Sequence, residues 1–341
     1  MTEIELAKFS AIPYLDLQKS QGRFISTLMF YDGSKWRMWV SAGDQLIEIQ
    51  AWPAESFYFS VAPESPTDLC FHFLDFIAQQ ASFSELQKPI LGLQDDVFNL
   101  SASLAKISHL HTTKKEIGTG VSRMVVTEVE YLFSICRSIF DLLQEIANAL
   151  WKSIQLHDLS VTKNPLKDSF SKMVLFQGRE STQDELSERF GLPQPLAAYY
   201  KRNSDFFLTL KDFRDNIIHH GSQVQTIFSS DSGFLIRHSL KPFSNMKIWR
   251  DEEKHENGLA PLFPAIGIVV QKTLFACEDF SSTIAQVIKF PPPIVPGMRF
   301  FMRGYFNELF SSTLRDAANR LTDHSIGPTQ EIAQVNSFKP Q

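Results

Sequence analysis

The sequence predicts a mainly α protein: a helical bundle with an inserted β-hairpin, preceded by a small N-terminal antiparallel β/α region. Three patterns carry that prediction. Val125, Val129, Leu132, Cys136, Ile139, Leu143, Ile146 and Leu150 alternate steps of four and three residues, the spacing of a bundle seam. Aromatic and β-branched runs flank Asp32-Gly33, a hairpin signal. Residues 222–250 change to strand-like patterning, with Ser230-Asp231-Ser232-Gly233 between two short apolar runs.

In chain order, residues 22–59 predict three or four short antiparallel strands. They run from Phe24 to Tyr31, through Lys35-Trp36-Arg37-Met38-Trp39-Val40, and on to Leu46-Ile47-Glu48-Ile49, with Phe57-Tyr58-Phe59 as an addition. Trp36 and Trp39 fall on opposite faces of one strand, so one of them needs cover from another element. Pro63 and Pro66 punctuate the chain, and Asp68 to Ala81 reads as a helix with Leu69, Phe73 and Phe76 in its stripe. Residues 82–118 carry Pro89, Gly92 and a polar run and give no clear element. A boundary is placed after them, dividing the chain into a region at 1–118, a bundle at 119–322 with its hairpin near 222–250, and a loose polar tail at 323–341.

The bundle is expected to comprise helices near 121–152, 195–220, 259–289 and 299–321. Thr182-Gln183-Asp184-Glu185 opens a short capped helix that stops before Gly191. Gly118-Thr119-Gly120 reads as a hinge before the first long helix. His109 and His111 flank Leu110 as they would on one side of a strand, without the Cys, Asp or Glu cluster that a metal site needs. No metal and no cofactor is predicted.

Composition narrows the function. A hydrophobic content of 43% with 21% charged residues is that of a globular chain with a real core. Thirty phenylalanines predict a Phe-rich core and an apolar oligomer interface. The net charge of −5 supplies no global field for nucleic acid, so any RNA contact has to be local. Met1 to Phe9 lacks the apolar core of a signal peptide, no stretch is apolar enough to span a bilayer, and Cys70, Cys136 and Cys277 lie in apolar surroundings. A cytoplasmic protein with no membrane contact is expected.

One stretch brings chemistry together. Leu208 to Gly221 reads as the last turns of an amphipathic helix, with Leu210, Phe213 and Ile217 on its buried face and Gly221 suited to the position past its end. Arg214, Asp215, His219 and His220 gather there. Arginine is a natural phosphate clamp and histidine a natural proton-transfer group near neutral pH. Asp215 and His219 are four apart and share a helix face, so the carboxylate can orient the imidazole. Arg214 and His219 are five apart, about 140° around an ideal helix.

The pattern Arg214, Asp215, three residues, His219 resembles the motif of the HEPN superfamily. The resemblance covers roughly 120–322 and implies an all-helical fold, pairing of two protomers across their motif helices, and metal-independent endoribonuclease activity in a defence, toxin or stress setting. It casts Arg214, His219 and Asp215 as catalytic and implies an RNA substrate, a homodimer and a protein regulator. A bland reading stands beside it. An Arg-Asp pair is a common surface ion pair, His-His-Gly is a good helix end, and the chain is then a non-catalytic dimerisation or interaction module. His220, three residues after Ile217, reads first as a packed histidine. Glu130, Arg137 and Asp141, outside the seam, read as a solvated or interface face, with the lining of an RNA groove as the lesser reading.

Overall fold

A computed structural model describes residues 6–220, 227–304 and 307–323. The tail expected at 323–341 lies, from 324 on, outside the described residues. The chain is mainly helical, and its helices pack against a five-stranded sheet.

The sheet is built from β1 (Met29–Tyr31), β2 (Trp36–Ala42), β3 (Gln45–Ile49) and β4 (Ser56–Ser60). The turn at Asp32-Gly33 is where the sequence places it. Asp32 Oδ1 accepts from the Ser34 and Lys35 amides, each at 3.0 Å, and Gly33 supplies the positive φ of 94°. The sheet is mixed rather than antiparallel. The chain leaves β3, crosses back past the hairpin and lays β4 parallel to β1, with Phe30 opposite Phe59. A fifth strand, β10 (Arg299–Arg303), pairs antiparallel with β4, giving the order β10-β4-β1-β2-β3. This corrects the helix expected over 299–321. The run Arg-Phe-Phe-Met-Arg serves the period of two, and Phe300 and Phe57 stack on one face at 5.2 Å while Phe301 and Tyr58 stack on the other at 5.6 Å. Trp39 joins the main core, and Trp36 packs on the opposite face with Tyr58 and Phe301.

The helix expected at Asp68–Ala81 shortens to α1 (His72–Phe76) continued by a wider turn over Ile77–Ala81. Leu69 is held instead in an antiparallel bridge, its amide 2.9 Å from the Met302 carbonyl. The region left unassigned holds α2 (Gln87–Thr112) and α3 (Lys114–Ile117). Pro89 sits in the first turn of α2, where a missing N–H is tolerated. Gly92 lets α2 approach Leu142, whose methyl carbons would lie 3.4–3.5 Å from an added Cβ. α4 (Val121–Ser153) packs along α2, and every residue of its predicted seam is buried. The core is continuous across the boundary placed after 118: one cluster runs from Ile12 to Ala317.

After α4 come α5 (Phe170–Val174), the small hairpin β5 (Leu175–Phe176) and β6 (Arg179–Glu180), then α6 (Gln183–Phe190). Thr182 and Glu185 close the predicted capping box on α6. Gly191 ends that helix at φ +64°, and a Cβ there would lie 2.1 Å from the Thr162 carbonyl oxygen. Gly191→Ala should therefore lower stability by ~3 kcal/mol or more, since left-handed strain and a backbone clash add. Urea unfolding should show a lower midpoint at an unchanged slope.

α7 (Gln194–His220) is the motif helix, and it packs on α4, α6 and α8. The hairpin expected near 222–250 is present as β7 (Phe228–Ser229) and β8 (Phe234–Arg237); residues 221–226, including Gly221, lie outside the described residues. A third strand, β9 (Leu259–Pro261), pairs with β8, so the helix expected from 259 begins as α8 (Leu262–Val287). α9 (Asn307–Asp323) crosses α8 where Gly267 meets the Thr313 methyl. Among the described residues no helix is long and apolar enough to cross a membrane.

Candidate functional site

α7 is fixed from beneath. Phe207, Leu210 and Phe213 are buried, with Phe213 4.2 Å from the Phe133 ring of α4 and Phe207 5.5 Å from Phe140. With that face committed to the core, the neighbouring positions Lys211, Arg214 and Asp215 are left half-buried on one flank. The long helix is thus a rigid mount for its polar flank.

The structure brings Arg214 and Asp215 together, with Nη1 3.3 Å from Oδ1. Lys211, one turn earlier, donates to the other carboxylate oxygen at 2.8 Å. Burial alone would raise the Asp215 carboxyl; Lys211 first and Arg214 second outweigh it and hold it below the usual carboxylate value. Asp215 is therefore an anion between two cations. Arg214 has a side chain 39% exposed, accessible to a ligand.

The backbone of α7 stays helical through His220. The helix therefore does not unwind to bring His219 towards Arg214, and the two positions keep their separation of about 140° within one chain. The side chains of Ile218, His219 and His220 lie outside the described residues, and the expected pairing of Asp215 with His219 falls there.

α4 contributes a second polar row. Arg137 Nη1 reaches Asp141 Oδ2 at 2.5 Å, an i,i+4 pair. Burial pushes the Asp141 carboxyl above its ordinary value, while Arg137, the Phe170 amide and Arg214 pull the other way. The α4 pair lies one and two turns on from Phe133, whose ring meets Phe213 at 4.2 Å, and so flanks the contact of α4 with the motif helix. Glu130 Oε1, Arg137 Nε and Asp141 Oδ1 are buried with no hydrogen-bonding partner among the described residues. A half-buried row with orphaned polar atoms is a poor solvated surface and a good seat for a polar partner.

A raised carboxyl has a defined pH signature. The stability Asp141 contributes is full below the ordinary Asp value and is lost as pH climbs through its raised folded value. Relative to wild type, Asp141→Asn should therefore gain stability between acid and neutral pH, read as converging urea midpoints. A wild-type advantage that widens with pH would contradict the assignment.

The sequence offered the lining of an RNA groove only as the lesser reading of this row. Its spacing of four residues was visible, and so was that of Lys211 and Asp215, but the register of α4 against α7 is written in neither helix alone. The other histidine candidates move away. His109 and His111 lie in the last turn of α2, a helix rather than a strand. His111 Nε2 is 3.0 Å from the Ser230 carbonyl oxygen, and its ring meets Phe234 edge-on at 5.4 Å, so it joins α2 to the β7–β8 hairpin. The Gly118-Thr119-Gly120 stretch is a single tight turn into α4.

Comparison with protein-family models, with curated proteins and with solved structures returned no match.

Proposed function

We propose that this chain is a HEPN-like, metal-independent endoribonuclease acting as a homodimer, with Arg214, His219 and Asp215 as its working residues. The observation that carries the reading is the motif spacing at the end of a long helix whose Arg214 is half-exposed and ion-paired to its neighbour Asp215, on a helix that packs against the α4 segment carrying the half-buried Arg137–Asp141 pair. In this reading Arg214 clamps the scissile phosphate, His219 transfers the proton, and Asp215 orients charge at the site. Two motif helices meeting across a two-fold axis supply Arg214 and His219 from both chains, which answers their separation around one helix.

A second reading is a non-catalytic dimerisation or interaction module. It is favoured by one observation: the Asp215 carboxylate is already shared by Lys211 and Arg214 along the helix. The two readings separate in one experiment. Purified protein incubated with mixed RNA in EDTA should cut it and leave 2′,3′-cyclic phosphate ends, because a metal-free route uses the 2′-oxygen as nucleophile. Absence of cleavage overturns the nuclease reading. Products with 3′-hydroxyls that require magnesium do so too, since they indicate a metal-directed water.

A further inference from the structure

A cleft of about 710 Å³ opens where the C-terminal turns of α4 meet residues 166–175 and the end of α6. Its wall carries Lys152, Lys167, Lys172 and Arg189 against a single acid, Asp168. On a chain of net charge −5, that is a local reversal of sign. Lys172 and Asp168 neutralise one another at 3.0 Å. Arg189 is held in place, its guanidinium 4.1 Å from the Phe176 ring centroid and one nitrogen 3.1 Å from Ser181 Oγ. Lys152 and Lys167 are exposed, and their ammonium groups have no ion pair among the described residues.

Asn148 adds a different chemistry. It lines the same cleft, and its amide oxygen is buried with no hydrogen-bonding partner among the described residues. Cations that hold phosphate beside an acceptor that wants a hydroxyl donor match a phosphorylated sugar backbone, and a ribose 2′-hydroxyl is such a donor. The position of the cleft agrees. Arg137, Asp141, Asn148 and Lys152 follow one another at four, seven and four residues, and so share one face of α4. Lys152 lies ~22 Å along that helix from Arg137, which is one turn on from Phe133, whose ring meets Phe213 next to Arg214 in the chain.

We propose that this cleft holds the phosphate backbone of an RNA strand that runs along α4 from the Arg214 end, with Lys152 and Lys167 as the free phosphate contacts and Asn148, its amide turned into the cleft, accepting from a 2′-hydroxyl. The proposal rests on the RNA reading above for the other end of the strand. Its test is binding, not cleavage: anisotropy of a fluorescein-labelled single-stranded RNA with the full chain carrying His219→Ala, so that the strand stays intact. Adding Lys152→Glu and Lys167→Glu should weaken binding at least tenfold and reduce the salt slope by ~1.4, the share of two single-strand phosphate contacts. Lys88→Glu, a charge reversal on α2 outside the cleft, should change it less than twofold. Asn148→Ala should narrow the preference for RNA over DNA of the same sequence. Thermal melting confirms that each variant is folded. Unchanged affinity in the Lys152/Lys167 variant, equal weakening by Lys88→Glu, or no RNA binding by the parent would overturn the cleft. A chain that binds RNA through the cleft and never cuts it leaves the cleft standing and removes the nuclease.

Discussion

Arg303→Ala should destabilise the protein by ~3–5 kcal/mol, the loss expected when one partner of a buried charge pair is removed. The Arg303 side chain is only 9% exposed, and its guanidinium lies 5.0 Å from the Trp36 ring centroid and 4.5 Å from that of Trp52. It pairs with Glu64 and stands 3.3 Å from Asp68, whose side chain is 2% exposed. Without it, the Asp68 carboxylate keeps, among the described residues, the Tyr58 hydroxyl at 2.7 Å and the Ser65 amide at 3.2 Å. Burial already raises the Asp68 carboxyl, and Arg303 is one of the groups that restrain the rise. In the variant the carboxyl rises further, so the stability lost on raising the pH through that value is larger than in wild type. The deficit of Arg303→Ala should therefore grow from mildly acid to neutral pH. Adding Asp68→Asn should recover part of it, as a double-mutant cycle reports for coupled neighbours. Arg303→Lys should recover little, because an ammonium does not stack as a planar group between two indoles. A loss below ~1 kcal/mol in urea unfolding would mean that the pair adds nothing beyond its desolvation.

Arg303 also marks where the sequence stopped being legible. Its strand pairs with β4, 247 residues earlier by the register of Arg303 with Ser56. A run of aromatic and apolar residues after Gly297 satisfies a helix or a strand equally well when read alone, and the partner decides. The same holds for Leu259-Ala260-Pro261, which becomes a strand because β8 offers it an edge. α2 was obscured for another reason: Pro89 and Gly92 look like breakers, yet one occupies a permitted first turn and the other a close helix contact. What was legible carried its own geometry. The seam of α4 needs only its spacing, the box of α6 only Thr182 and Glu185, and the β1–β2 turn only Asp32 and Gly33. At the site, the motif helix was legible for the same reason. The packing of the α4 polar row's helix against the motif helix was not, because it depends on how two separate seams settle against each other.

His219→Ala and Arg214→Ala should each lower RNA cleavage by ~10³-fold or more, the scale of a lost proton-transfer group or a lost charge clamp on the reacting phosphate. Neither change should unfold the chain. Arg214 is half-exposed and its ion pair spans adjacent residues, so no core contact is removed. Asp215→Asn should reduce cleavage less, because it alters the charge between Lys211 and Arg214 while leaving both cations in place. The composite site makes a sharper demand. Two chains, one carrying Arg214→Ala and the other His219→Ala, should regain activity on mixing if each site draws its arginine from one protomer and its histidine from the other. Light scattering on the mixture confirms that dimers form. A dimeric mixture that stays inactive would exclude this one-from-each arrangement. A wild-type chain that remains monomeric at tens of micromolar while cutting RNA would remove the composite site altogether. Cleavage by His219→Ala at the wild-type rate would remove His219 as the proton carrier and leave α7 as a structural helix.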